Sequence, residues 1–132
     1  MLSRDELLKI KKARLRDAEV LYRNRRYDGA IYLCGYAVEI ALKARICKTL
    51  EWNSGFPETK KEFEGCNSFK THDLEALLHL SGIETKIKSN YLADWSTVAT
   101  WNPESRYKAI GSANKVNTKI MIDSVKVLVG VI

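Results

Sequence analysis

The sequence is poor in residues that interrupt regular structure and in residues that build disulfide or metal frameworks. Among its 132 residues are only 7 glycines, 2 prolines, 3 cysteines and 2 histidines. With so little Gly and Pro and no low-complexity tract, the composition argues against a disordered chain. Cys34, Cys47 and Cys66 are odd in number and lack C-x-x-C spacing, so they predict reduced thiols rather than a disulfide or zinc site. We therefore expect no metal and no cofactor.

Long apolar runs are also missing. None approaches the ~20 residues of a membrane span. Charged Arg4, Asp5 and Glu6 stand where a signal peptide needs its apolar stretch. The glycines are scattered, so there is no glycine-rich phosphate loop. These absences predict a cytoplasmic protein without membrane association, and the length predicts one domain over residues 1–132.

The charge of the chain is basic and unevenly distributed. The net charge is +6, and residues 1–26 hold nine basic against four acidic side chains. Arg23, Arg25 and Arg26 form the densest part of this excess. Such a distribution favours a polyanionic partner, either RNA, a nucleotide or an acidic protein face, although a solvated helix face has the same composition.

The first half of the chain predicts two helices that pack as an antiparallel hairpin. Ser3 and Glu6 fit a capping box that opens a helix to about residue 24. A second helix over 27–50 is apolar nearly all round, which is typical of a central helix or one shared with a partner subunit. Its small residues allow close helix approach, although Gly35 costs up to ~1 kcal/mol of helix propensity.

The hydrophobic residues of 51–70 follow no regular spacing. This stretch is therefore expected to form a short irregular helix, a flap or a functional loop. Beyond them, Thr71 or Asp73 caps a short helix to Leu80. Its inward positions are predicted to be Leu74, Leu77, Leu78 and His79.

Two further helices are predicted in the last third of the chain. Ser81 and Glu84 suggest a capping box that opens a helix to about residue 100. The last helix is expected over 112–131, and its predicted inward positions are Val116, Ile120, Val125, Leu128 and Val129. The predicted fold is an all-α, up-down bundle of about five helices.

The second helix and its lead-in carry a family resemblance. The sequence there runs Arg26-Tyr27-Asp28-Gly29-Ala30 and then Ala37-Val38-Glu39-Ile40-Ala41-Leu42-Lys43-Ala44. Thr71-His72-Asp73-Leu74 and Arg106-Tyr107 follow downstream. Together these stretches resemble the HEPN family, whose name stands for higher eukaryotes and prokaryotes nucleotide-binding. The resemblance implies a helical bundle that is usually a homodimer, often encoded beside a small nucleotidyltransferase.

Many HEPN proteins are metal-independent ribonucleases with an Arg followed four to six residues later by His. This sequence departs from that pattern, because neither His72 nor His79 has an Arg at that distance upstream and no His follows Arg106. Without an imidazole there, no group titrating near pH 7 can move a proton. We therefore predict no catalytic residues and lean against an enzyme.

Several polar residues are candidates for binding nucleotide or phosphate. Each also has a structural alternative: a buried intrahelical pair for residues 39 and 43, a helix cap for residue 72, and solvated or structural loop positions for the others. The candidates are Arg25, Arg26, Glu39, Lys43, His72, Arg106 and Tyr107.

These observations leave three hypotheses. The first is a nucleotide- or RNA-binding module that acts as a homodimer with a nucleotidyltransferase partner, as in a toxin-antitoxin system. The second is an endoribonuclease toxin that uses Arg106 with His72 or another base. The third is an interaction protein whose apolar second helix builds a dimer and nothing more.

Overall fold

The computed structural model describes the backbone of residues 1–132 and every side chain except those of Ser105 and Arg106. The described chain forms six α-helices, one more than expected. They are α1 (Arg4–Arg23), α2 (Tyr27–Thr49), α3 (Leu74–Ser81), α4 (Glu84–Asn90), α5 (Leu92–Val98) and α6 (Lys115–Val131). Short 3-10 turns cover Asn67–Phe69 and Pro103–Tyr107. The predicted all-α bundle is confirmed.

Helix α1 begins and ends as its sequence predicts. The Ser3 hydroxyl accepts from the Glu6 amide, and the Glu6 carboxylate accepts from the Ser3 amide, which completes the capping box. At the other end, the Arg26 amide donates to the Leu21 carbonyl and the Arg25 amide to the Tyr22 carbonyl. This is a Schellman motif, and it turns the chain directly into α2.

Helix α2 is the centre of the bundle and packs against α1, α3, α6 and the 3-10 turn at Pro103–Tyr107. Its buried residues include Ala30, Ala37, Val38, Leu42 and Ile46. Because neighbours cover it on several sides, a helix apolar nearly all round stays out of water. The prediction of a buried central helix over this range is therefore confirmed.

The segment between α2 and α3 forms a packed loop that folds back over the N-terminus. Leu2 and Phe56 exchange two backbone hydrogen bonds of 3.0 and 2.7 Å. The rings of Trp52, Phe56, Phe63 and Phe69 contact one another, with centroids 4.8–6.1 Å apart. These contacts fix the loop that ends at Asp73.

The third helix confirms one predicted cap and overturns one predicted core position. Asp73 caps α3 by accepting from the Glu75 and Ala76 amides, while Thr71 accepts from the Asp73 amide. His79 was expected to point inward, but its side chain is 76% exposed and lies beside Glu84. The buried face of α3 carries Leu74, Leu77, Leu78 and Ser81, and residue 79 lies off that face.

The predicted helix from Ser81 to about residue 100 is wrong in two respects. Ser81 closes α3 instead of opening a new helix, because its hydroxyl donates to the Leu78 carbonyl and accepts from the Ile83 amide. The backbone of Tyr91 then leaves the helical region at φ −135°, which separates α4 from α5. The break lets α5 pack against α6.

The last helix begins later than predicted and faces differently. Asn114 caps it by accepting from the Asn117 amide, so the helix opens at Lys115 rather than residue 112. Val116 and Ile120 were expected inward but are 67% and 50% exposed. The buried face carries Met121, Ile122, Val125 and Leu128 instead. This helix is apolar on two faces, and the sequence pattern did not distinguish between them.

No described helix is long and apolar enough to cross a membrane. Among the described residues, no group of three or more His, Cys, Asp or Glu side chains could hold a metal ion. Cys34 and Cys47 are buried free thiols, Cys66 is partly buried, and burial raises the pKa of Cys34 to about 12.

Candidate functional site

The predicted site residues fall into two separate groups along α2. Glu39, Lys43 and His72 lie together near the middle of the helix. Arg25 and Arg26 lie at its start. At a rise of about 1.5 Å per residue, Glu39 is about 20 Å along α2 from Arg26, so the predicted residues do not form one site.

Glu39 is the polar centre of the first group. Its side chain is only 3% exposed, and both carboxylate oxygens have partners. Oε2 accepts from the Lys43 ammonium at 2.9 Å, and Oε1 lies 3.0 Å from Nδ1 of His72. Lys43 also lies over the Phe56 ring, 5.3 Å from its centroid. The buried carboxylate thus joins α2 to the loop that precedes α3.

His72 is held from one side and open on the other. Its side chain is 61% exposed although its Nδ1 is bound to buried Glu39. A carboxylate on one ring nitrogen orients an imidazole and leaves the other nitrogen available for a proton or a ligand. The expected pairing of residues 39 and 43 is confirmed, whereas the bond from residue 72 to Glu39 was not foreseen.

The second group lines a cleft where α1 turns into α2. Two adjoining hollows of about 300 and 350 Å³ open there, and we call them together the corner cleft. The smaller hollow is lined by Arg25, Arg26, Tyr27, Leu21 and Gly111. The larger is lined by Ile31, Tyr32, Lys108, Ser112 and Asn117. Asp28, Gly29, Ile110 and Ala113 border both.

Asp28 fixes one wall of the corner cleft. Its carboxylate accepts from the backbone amides of Gly111 at 2.7 Å and Ala113 at 2.9 Å. These two hydrogen bonds lower the pKa of Asp28, so the group stays ionised at neutral pH. The loop before α6 is therefore tied to the first turn of α2 across more than eighty residues of sequence.

Arg25 has a backbone conformation that arginine rarely adopts. Its φ is +60°, and it occupies the C′ position of the Schellman motif, where glycine is the usual residue. A left-handed conformation costs a side-chain-bearing residue roughly 1–2 kcal/mol. The protein thus keeps a guanidinium at the rim of the cleft at a position that favours glycine.

The two remaining candidates, Arg106 and Tyr107, directly precede Lys108, which lines the corner cleft. Tyr107 is 76% exposed and ends the 3-10 turn just before Lys108. The side chain of Arg106 lies outside the described residues. Sequence reasoning also missed Asp28, Tyr32, Lys108 and Asn117 as lining residues. Asp28 belongs to the Arg26-Tyr27-Asp28 stretch that carries the family resemblance. No local sequence pattern predicts that its carboxylate contacts a loop more than eighty residues away.

Comparison with known proteins supports the fold and the family. The family model described as the HEPN domain matches residues 5–54, which cover nearly all of α1 and the whole of α2. No curated protein and no solved structure gives a significant match to the chain. The match includes the Schellman turn, the Glu39–Lys43 pair and most of the helical hairpin that carries the corner cleft. Together with the all-helical fold, the match shows that the first helical hairpin of this chain is similar to the HEPN domain.

Proposed function

We propose that this protein binds the phosphates of a nucleotide or RNA at the corner cleft. The proposal depends on three basic residues at the cleft. Arg25 and Arg26 line its smaller hollow, and Lys108 lines the adjoining larger one. Guanidinium groups bind phosphate oxygens through paired N–H donors.

Charge reversal of both arginines tests this function. We expect Arg25→Glu with Arg26→Glu to weaken binding of a short single-stranded RNA at least tenfold at low salt, because two phosphate contacts become repulsive. Fluorescence anisotropy at two salt concentrations measures the affinity and the salt slope. The control is Lys60→Glu with Lys61→Glu, which changes net charge equally at two exposed lysines far along the chain. Equal losses in both variants, or no binding by the wild type, would contradict the proposal.

The same proposal includes a homodimer that works with a nucleotidyltransferase partner, in the manner of a toxin-antitoxin pair. The outer face of α6 supports self-association. Val116, Ile120 and Val127 are exposed and recur at helical spacing on the side opposite the buried residues. Apolar side chains grouped on one exposed face are typical of an interaction surface.

Light scattering after gel filtration tests the homodimer. We expect a dimer for the wild type at micromolar concentration and a monomer for Ile120→Asp, since the aspartate would place a charge at the centre of the apolar face. The exposed site should leave the helical circular dichroism spectrum unchanged. Lys115→Ala, at the exposed start of the same helix, lowers the net charge by the same one unit and should remain a dimer. A monomeric wild type would contradict self-association.

One observation favours an endoribonuclease as the second candidate. His72 is oriented by buried Glu39 and exposes its other face, which is the arrangement a general acid or base requires. An RNA cleavage assay with the wild type, His72→Ala and Arg106→Ala separates the candidates. Intact RNA after incubation with the wild type removes the enzyme hypothesis, whereas cleavage that both variants abolish would replace the binding proposal.

A further inference from the structure

The corner cleft contains an anion of its own. Among the described residues that line its two hollows, Asp28 is the one acidic side chain, and it borders both of them. The basic side chains are Arg25 and Arg26 in the smaller hollow and Lys108 in the larger one. The pKa of Asp28 is lowered mainly by its two amide hydrogen bonds and further by the positive charge of Arg26. A carboxylate charge therefore stands among the basic groups that we assign to phosphate binding.

The loop at residues 108–113 supplies the two donors that hold this carboxylate. The amide nitrogens of Gly111 and Ala113 lie 2.7 and 2.9 Å from the carboxylate oxygens of Asp28. Gly111 has a φ of +85°, the left-handed conformation that glycine adopts without strain. Backbone N–H groups that converge in a turn form a concave site for an anion. In this structure the side chain of Asp28 fills that concave site.

The attachment of this loop to α2 depends on few contacts. In the described structure, the other hydrogen bonds of residues 108–113 stay within the loop, from the Ser112 amide and hydroxyl to the Ala109 carbonyl. Ile110 is 100% exposed, so its side chain does not pack the loop against the bundle. Asp28 is exposed as well. The carboxylate can therefore leave the two amides without disturbing the core.

We propose that Asp28 is an autoinhibitory residue of the corner cleft, because its carboxylate occupies two backbone donors that a bound phosphate group can use. This inference rests on the proposed phosphate-binding function and concerns its regulation. A phosphate at the cleft either stays beside a like charge, which repels it, or takes the place of the carboxylate. Replacement gives the phosphate the amides of Gly111 and Ala113 in addition to the basic side chains. It also frees the loop from α2, so anion binding and loop position are linked.

Calorimetric titration of the whole protein with inorganic phosphate at low salt tests this inhibition. We expect Asp28→Ala to bind phosphate about tenfold more tightly than the wild type, because the repulsion is gone and both amides are free. Asp28→Asn should gain less, since its side-chain oxygen can still accept from one amide. Glu64→Gln removes one negative charge at an exposed site between α2 and α3 and should leave the affinity unchanged. Circular dichroism checks that each variant keeps the helical fold.

NMR spectroscopy of the wild type separates displacement from repulsion alone. The carboxyl carbon signal of Asp28 reports whether its two hydrogen bonds are intact. Saturating phosphate should move this signal to the position of a carboxylate in water, because the amides change partner. If phosphate binds and the signal does not move, the carboxylate is not displaced and the inference is wrong.

The titration outcomes also separate this inference from the function on which it rests. If Asp28→Ala binds phosphate no more tightly than the wild type while the wild type binds RNA or phosphate, autoinhibition is wrong and the phosphate site stands. A gain of the same size in Glu64→Gln assigns the effect to net charge and leads to the same conclusion. If neither the wild type nor Asp28→Ala binds phosphate or RNA, both proposals fall.

Discussion

Alanine at Gly35 should lower the free energy of unfolding by about 2–3 kcal/mol, although alanine is the better helix former. A Cβ atom at this position would overlap the indole of Trp101 at its Cδ1, Nε1 and Cε2 atoms. The indole would have to move, and its hydrogen bond to the Tyr32 carbonyl would be lost. Urea unfolding followed by circular dichroism measures the change.

Two further variants make the Gly35 result specific. Gly130→Ala introduces the same methyl group into α6, where no atom lies within 4 Å, and should stabilise the protein by up to about 1 kcal/mol. In a Trp101→Leu background, Gly35→Ala should cost much less than in the wild type, because the rigid ring is gone. If the free energy of unfolding of Gly35→Ala equals that of the wild type, Trp101 does not pack on this glycine.

The second large effect is expected at Glu39. Replacing it with glutamine should destabilise the protein by about 3 kcal/mol, because Lys43 is left without its counter-charge at a site only 18% exposed. Combining Glu39→Leu with Lys43→Met removes both charges and should recover most of that loss. Chemical unfolding of the single and double variants gives both values.

The Lys119–Asp123 pair of α6 provides the matched control. It has the same four-residue spacing, but its side chains are 56% and 54% exposed. Asp123→Asn should leave stability close to that of the wild type, since an exposed ion pair contributes little. If Glu39→Gln is as mild as Asp123→Asn, the carboxylate is not the buried centre that its contacts indicate.

The local predictions that succeeded depend on residues close in sequence. The Ser3–Glu6 box, the Asp73 cap and the Glu39–Lys43 pair each join groups within four positions. Such contacts follow from local geometry wherever a helix does begin, whereas the same spacing at Ser81 and Glu84 formed no box because Ser81 closes α3. The same holds for the extent of α2, because a run of apolar residues at helical spacing has few alternatives.

Tertiary structure decided which of two apolar faces α6 buries. Val116 and Ile120 fit a helical stripe as well as Val125 and Leu128 do, and hydrophobic spacing gives no preference between the stripes. The packing of α5 and α2 against α6 selects the face with Met121 and Val125. A prediction from periodicity alone therefore placed two exposed residues in the core.

The sequence by itself determined that the chain is helical, that the connection between α1 and α2 is basic, and that residues 39 and 43 pair on α2. Each of these features depends on residues that are close together along the chain. Only the tertiary structure brought His72 to Glu39, Trp101 to Gly35 and the loop at Gly111 to Asp28. These contacts join residues more than thirty positions apart. Their positions depend on how the whole chain packs, and no local pattern encodes that packing.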